Sequence, residues 1–109
     1  MRVSIATGHH VPPDARAYAE AKVRRLEHHA NLDEVNLTVE RETALLPEAS
    51  AEIVLHARRT RLSARHEAAS VREAIDGVID KADEQLRRHH DRATDRKGRI
   101  RADAEPPRP

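Results

Sequence analysis

Short runs in which apolar and polar residues alternate predict four β-strands. In RVSIATG, Val3 and Ile5 alternate with Arg2 and Ser4, and Gly8 ends the run. Apolar residues recur at the same two-residue spacing in EVNLTVERE, AEIVLHA and TRLSARHE. Because side chains two residues apart in a strand point to the same side, each predicted strand has one apolar face.

Two other stretches place apolar residues at the three- and four-residue spacing of a helix. The first begins at Pro12-Pro13-Asp14, where proline suits a first turn and an acid favours the positive end of the helix dipole. The second begins at Ser70, which forms the pattern of a capping box with Glu73. The apolar residues of the first helix are Ala15, Ala19, Val23, Leu26 and Ala30, and those of the second are Val71, Ile75, Val78, Ile79, Ala82 and Leu86.

The predicted order of elements is strand, helix, three strands, helix. The economical way to cover every apolar face is to pack both helices on one face of a four-stranded sheet, in which the last three strands form an antiparallel meander. After about Thr94 the apolar pattern stops and the sequence becomes charged and ends in prolines. We therefore predict an α+β domain over residues 1–93 and a flexible charged C-terminal tail over residues 94–109.

The amino-acid composition limits the size of the hydrophobic core and indicates the cellular compartment. The 109 residues include no Phe, no Trp and one Tyr, so that Val, Ile, Leu and Ala must form a single modest core. The absence of Cys excludes disulfides and thiol chemistry and is usual in a reducing cytoplasm, where we expect this protein. No apolar run approaches the roughly 20 residues that span a membrane, and MRVSIATG is too short and polar for a signal peptide.

The net charge of +1 conceals an uneven distribution. Residues 1–86 carry 12 basic and 15 acidic side chains, whereas residues 87–101 carry 7 basic and 2 acidic ones. This concentration of positive charge favours a polyanionic partner.

The charges of the second helix are also sorted by face. At about 100° per residue, Lys81, Arg88 and Arg92 fall within about 20° of one another and form what we call the basic ridge. The acidic residues of this helix occupy the remaining side, between the basic ridge and the apolar stripe, and are Asp76, Asp80, Asp83 and Glu84. The basic residue Arg87 falls on this acidic side, where it can form an ion pair. Gly77 lies beside the ridge, which allows either the close approach of another backbone or close packing inside the protein.

The first helix repeats this arrangement, with Lys22, Arg25, His29 and Tyr18 beside its apolar stripe. If the helices lie side by side, the basic residues of both could merge into one phosphate-binding patch. The alternative is a solvated surface with ion pairs between residues four apart. With almost no aromatic residues for base stacking, recognition of a nucleic acid would depend on phosphates and shape, which suits folded RNA.

The eight histidines include three adjacent pairs, but adjacent side chains on a helix point about 100° apart and do not make a ready chelating pair. We therefore expect no metal site and no cofactor. The sequence also has no nucleophile elbow, no glycine-rich phosphate loop and no convincing pair of carboxylates. We expect neither an enzyme nor a small-molecule substrate.

Two stretches resemble a known family. The opening ATGHHVPPDARAYAEAKVRRLEHH, with Ala21-Lys22-Val23-Arg24-Arg25-Leu26 at its centre, and the stretch EAIDGVIDKADEQLRRHHDR are similar to the ribosome hibernation promoting factor family. This family is also called ribosome-associated inhibitor or sigma-54 modulation protein. The resemblance covers about residues 1–92 and indicates a short form without a second, dimerising domain.

The resemblance implies a β-α-β-β-β-α fold similar to double-stranded RNA-binding domains. It implies binding to the small ribosomal subunit and its ribosomal RNA between head and body, over the sites for messenger and transfer RNA. Off the ribosome we expect a monomer. Translation would then be blocked, and idle ribosomes preserved, under stress or in stationary phase. The family's basic positions that face ribosomal RNA correspond here to Lys22, Arg25, Lys81, Arg88 and Arg92.

A second group of candidate RNA contacts consists of Tyr18, His29, Arg61, Arg65, Arg96, Lys97, Arg99 and Arg101. The chain departs from the family at Val23, Ala30 and Arg72, where aromatic residues are usual, and at Glu84 and His90, where basic ones are usual. Two other functions stay open: a stand-alone binder of duplex RNA with the same fold, and a histidine metal-binding protein. The sequence also leaves open whether the protein promotes or opposes ribosome dimers.

Overall fold

The computed structural model describes residues 1–29 and 32–102, with side chains up to His89. The predicted order of elements is confirmed. The elements are β1 (Arg2–Thr7), α1 (Asp14–Val23) with a 3-10 helix that continues it (Arg24–His28), β2 (Leu32–Arg41), β3 (Ala49–Ala57), β4 (Thr60–Ala68) and α2 (Val71–Ala102).

The four strands form one sheet in the order β1-β2-β3-β4. The last three strands make the predicted antiparallel meander, whereas β1 pairs in parallel with β2. A parallel pair needs a crossover between its strands, and α1 with its 3-10 continuation supplies it. At the tight turn between β3 and β4, Arg58 adopts a left-handed backbone with a φ of 56°, and its N–H donates to Asp33 Oδ2 at 3.1 Å.

Both helices cover the same face of the sheet, as the apolar patterns predicted. Val35 of β2 lies opposite Leu55 of β3, and Leu37 lies opposite Ile53, so that the buried positions of the two strands align in layers. Helix α2 lies over β3 and β4, and α1 lies beside it towards β1. The largest fully buried side chains are Leu26, Leu37, Ile53, Leu55, Ile75, Val23, Val35, Val39 and Val78.

Helix α2 starts where the sequence predicted and ends later. Its first turn is capped, because the backbone N–H of Glu73 donates to Ser70 Oγ at 3.2 Å. The apolar pattern predicted an end near Thr94, but the helix continues to Ala102. Arg, Lys and Ala favour a helix without any apolar stripe, which explains the added turns. Among the residues whose side chains the structure describes, the last buried one is Leu86.

The division into a domain over residues 1–93 and a flexible tail stays a prediction, and residues 103–109 lie outside the described residues. In the part of the chain that the structure describes, no helix is both long and apolar enough to cross a membrane.

Candidate nucleic-acid interface

Helices α1 and α2 meet along a line of charged and polar contacts, which we call the helix seam. In its first half, the Tyr18 hydroxyl donates to Asp76 Oδ1 at 2.6 Å, and the Lys22 ammonium lies 3.1 Å from the same oxygen. The Arg72 guanidinium stacks over the Tyr18 ring, 4.7 Å from its centre. Asp76 therefore receives two donors from α1 and holds the helices together.

These contacts shift the pKa of both partners. Partial burial opposes ionisation of Asp76, but the hydrogen bonds from Tyr18 and Lys22 and the charge of Lys22 outweigh it, so the carboxyl pKa lies below its usual range. The hydrogen bond to Asp76, with burial and the negative charge of the carboxylate, raises the pKa of the Tyr18 hydroxyl. Asp76 is therefore an ionised acceptor in this contact at neutral pH.

The second half of the helix seam gathers around Asp83. His29 Nε2 lies 2.7 Å and His28 Nε2 3.4 Å from Asp83 Oδ1, and Arg87 Nη2 lies 3.3 Å from Oδ2. The hydrogen bond from His29 holds the pKa of the Asp83 carboxyl below its usual range, against the effect of burial. The pairing of Arg87 on the acidic side of α2 is thus as the sequence indicated.

The adjacent histidines converge because they do not both lie within a helix. The 3-10 helix ends at His28, and His29 has an extended backbone with φ −85° and ψ 105°. The two rings lie 4.0 Å apart between their centres. The helical geometry that argued against a chelating pair is therefore wrong at this position, and His28, His29 and Asp83 could together hold a metal ion.

The basic ridge lies on the opposite flank of α2, along β4. Lys81 Nζ donates to the carbonyl oxygen of Arg65 at 2.8 Å, and Gln85 Nε2 donates to that of Ser63 at 2.8 Å. Since β4 is an edge strand, these two side chains satisfy carbonyl groups along its outer edge. Arg88 is 65% exposed and pairs with Glu84 at 3.0 Å.

The expectation that the basic residues of the two helices could merge into one patch is wrong for the described side chains. Helix α1 packs against the acidic flank of α2, where Lys22 meets Asp76 and His29 meets Asp83. The basic ridge faces the other way because α2 lies between α1 and β4. Among the described side chains, the cations of the two helical regions therefore form two separate groups.

Gly77 serves close packing. The His66 ring of β4 lies against it so closely that an added Cβ atom would overlap the ring. Of the two interpretations of this glycine, contact inside the protein is the one that the structure supports.

The other candidate residues occupy different places. Arg25 is exposed on the 3-10 helix that follows α1, and its charge helps to lower the pKa of Asp76. Arg61 and Arg65 are exposed on the sheet face away from the helices, and Arg65 pairs with Glu67 at 3.0 Å. The side chains of Arg92, Arg96, Lys97, Arg99 and Arg101 lie outside the described part of the chain, although their backbone belongs to α2.

Sequence reasoning missed Arg72 as a member of the site. Its position four residues before Asp76 was the available signal, because residues four apart are neighbours on a helix surface. Its stacking on Tyr18 depends on how α1 packs against α2, which that spacing does not contain.

Several solved structures resemble this fold. The N-terminal domain of Protein Y from Thermus thermophilus superposes with a TM-score of 0.69 at 22% identity, covering 82% of this chain and 99% of that domain. A ribosomal subunit interface protein from Coxiella burnetii gives a TM-score of 0.71 at 14% identity, covering 83% of this chain and 98% of the other. At these identities the likeness concerns the fold.

Among curated protein sequences, none matches this chain. A sequence model described as Sigma 54 modulation protein / S30EA ribosomal protein matches residues 5–94, which extend from the first strand well into α2. The match confirms the resemblance found in the sequence, and the chain belongs to the Sigma 54 modulation protein / S30EA ribosomal protein family.

Proposed function

We propose that this protein is a non-enzymatic translation inhibitor. It binds the small ribosomal subunit in the decoding channel, excludes messenger and transfer RNA, and acts in the cytoplasm under stress or in stationary phase. Family membership supports a ribosomal partner, and the Coxiella burnetii protein of the same fold is described as a ribosomal subunit interface protein.

The observation that carries the proposal is the exposed basic ridge on α2. Lys81 and Arg88 are exposed and lie two helical turns apart, about 10.5 Å along the axis. The sequence pattern predicts that Arg92, four residues after Arg88, continues this row. A straight row of cations on a rigid helix suits phosphates along one backbone of folded RNA, and it needs no aromatic platform.

The cations of the helix seam have a secondary role in this proposal. The Lys22 side chain is only 23% exposed and its charge is partly neutralised by Asp76, so it contributes less than a free lysine. Arg25 and Arg72 are exposed and can meet a second RNA segment beside α1. The acidic residues Asp80 and Glu84 lie on the helix surface between the basic ridge and the cations of the helix seam. One continuous row of phosphates therefore does not contact both groups of cations.

Co-sedimentation with purified small subunits tests this function. The protein should pellet with small subunits and bind free duplex RNA of equal length far more weakly at physiological salt. A messenger fragment already bound in the channel should reduce the amount that pellets. Equal binding to free duplex, unaffected by the messenger fragment, would instead identify a stand-alone binder of duplex RNA.

A further inference from the structure

Three possible metal ligands converge at the end of the 3-10 helix. One possible ligand atom each of His28, His29 and Asp83 lies within 4.8 Å of the other two, and the Nε2 atoms of the histidines lie 3.4 and 2.7 Å from Asp83 Oδ1. Imidazole nitrogen and carboxylate oxygen are usual ligands of Zn²⁺ in proteins. The Asp83 and His29 side chains are 30% and 12% exposed, and that of His28 is 64% exposed, so the cluster is anchored on one side and open to solvent on the other.

The hydrogen bonding of His28 fixes which nitrogen is free to bind a cation. His28 Nδ1 lies 2.7 Å from the carbonyl oxygen of Arg25. A carbonyl oxygen only accepts, so Nδ1 carries the proton. In neutral His28 the other nitrogen, Nε2, then presents a lone pair. Metal-binding histidines are commonly oriented by this kind of contact to a backbone carbonyl.

His28 faces the Asp83 carboxylate through Nε2. Its Nε2 lies 3.4 Å from Asp83 Oδ1, and two acceptors at this separation repel each other unless a cation lies between them. A proton on Nε2 would serve this purpose, and so would a metal ion. The contact is longer than a usual direct hydrogen bond to a carboxylate, which measures about 2.7–2.9 Å, so it leaves room for an ion that both atoms contact.

We propose that His28, His29 and Asp83 form a binding site for a divalent transition-metal ion of the Zn²⁺ class. With metal–ligand distances of about 2.0–2.1 Å, tetrahedral geometry places two ligand atoms about 3.3 Å apart. His28 Nε2 and Asp83 Oδ1 already have this separation. His29 Nε2, now 2.7 Å from the oxygen, binds the ion as the neutral tautomer with its proton on Nδ1: the Nε2 proton leaves to solvent, Nδ1 carries one instead, and Nε2 moves away from the oxygen by about 0.6 Å.

The ion would connect two parts of the fold. His28 and His29 lie where the chain leaves the first helical region, and Asp83 lies in the middle of α2. Since the three groups come together only in the native fold, the ion stabilises that fold. Arg87 holds the other oxygen of Asp83 at 3.3 Å, which orients the carboxylate but also opposes a second positive charge.

The site is tested by titrating Zn²⁺ into the full chain. The protein carries no affinity tag and is first freed of bound metal with a chelator. At about pH 7.5, where free imidazole is largely neutral, calorimetry should show one equivalent of Zn²⁺ bound and the melting temperature should rise. Co²⁺ should give the visible absorption of a four-coordinate ion. The variants His28→Gln and Asp83→Asn should each lose at least tenfold in affinity, with circular dichroism to confirm that they are folded.

Two control variants make the result specific. His9 and His10 form another exposed pair, and the double variant His9→Gln/His10→Gln should bind Zn²⁺ as the parent does. Arg87→Gln removes the competing cation, so its affinity should rise several-fold. The proposal is overturned if Zn²⁺ does not bind below about 100 µM, which corresponds to a weak interaction. It is also overturned if His28→Gln leaves binding unchanged or if the His9/His10 variant abolishes it.

Discussion

The His66 ring lies against Gly77. A methyl group added at this position should therefore lower the stability of the fold, whereas in an ordinary helix interior it raises stability. In an ordinary helix interior, Gly→Ala stabilises by about 1 kcal/mol because alanine loses less backbone entropy. At Gly77 the new methyl would overlap the His66 ring, and overpacking of this kind costs about 1–3 kcal/mol. We therefore expect Gly77→Ala to lower the free energy of unfolding by about 0–2 kcal/mol.

Removal of the ring should reverse the sign. In a His66→Ala background the space beside Gly77 opens, so that Gly77→Ala should recover the ordinary gain of about 1 kcal/mol. The two changes should therefore couple by about 1–3 kcal/mol in a double-mutant cycle. Urea unfolding of the parent, both single variants and the double variant measures this coupling. Additive changes, or a stabilising Gly77→Ala in the parent, would refute the packing role of this glycine.

Two further predictions concern the charged residues. Since the pKa of Asp76 is lower in the folded protein than its ordinary 3.8, the unfolded state binds more protons below that value. The stability that this carboxylate contributes is present above about pH 4 and is lost as the pH falls through its folded pKa. In the variant Asp76→Asn, the free energy of unfolding measured in urea should therefore fall less steeply with decreasing pH than in the parent. An unchanged pH dependence would contradict the contact. The variant Glu84→Gln removes the partner of Arg88. This exposed ion pair is worth at most about 1 kcal/mol, so the stability of the fold should hardly change, while the affinity for small subunits should rise a few-fold in a filter-binding assay. Weaker binding would show that Arg88 does not face phosphates.

Much of the fold could be predicted from periodicity, because burial of one face controls both strands and helices. Val35, Leu37 and Val39 of β2 are buried, as their two-residue spacing indicated. Ile75 and Ile79 of α2 are buried as well, as their four-residue spacing indicated. The end of α2 was not accessible by this method. After about Thr94 the apolar pattern of the sequence stops, so only the intrinsic helix propensity of the residues remains as a signal.

The site could be predicted in part. The sorting of charge on α2 follows from helical geometry alone, and Arg87 pairs with Asp83 as its position indicated. Which flank of α2 faces α1 depends on the order of strands in the sheet, and no local pattern contains that order. The convergence of His28 and His29 depends on the backbone of a single residue at the end of the 3-10 helix, which residue spacing does not reveal.

The central claim is that the basic ridge of α2 binds ribosomal RNA, and a charge-reversal variant tests it most directly. Lys81, Arg88 and Arg92 are changed to Glu together, and Asp80→Lys, an exposed change on the acidic side of the same helix, is the matched control. The ridge variant loses the hydrogen bond from Lys81 to the Arg65 carbonyl, about 1 kcal/mol, so circular dichroism must first establish that it is folded.

Affinity for small ribosomal subunits is then measured by co-sedimentation across a series of salt concentrations. For the ridge variant we expect binding to fall by orders of magnitude at physiological salt, and the log–log salt dependence to flatten by about 0.7–0.9 for each phosphate that is no longer neutralised. The Asp80→Lys control should bind at least as well as the parent. A folded ridge variant that pellets with small subunits like the parent, with the same salt dependence, would contradict the assignment of this surface.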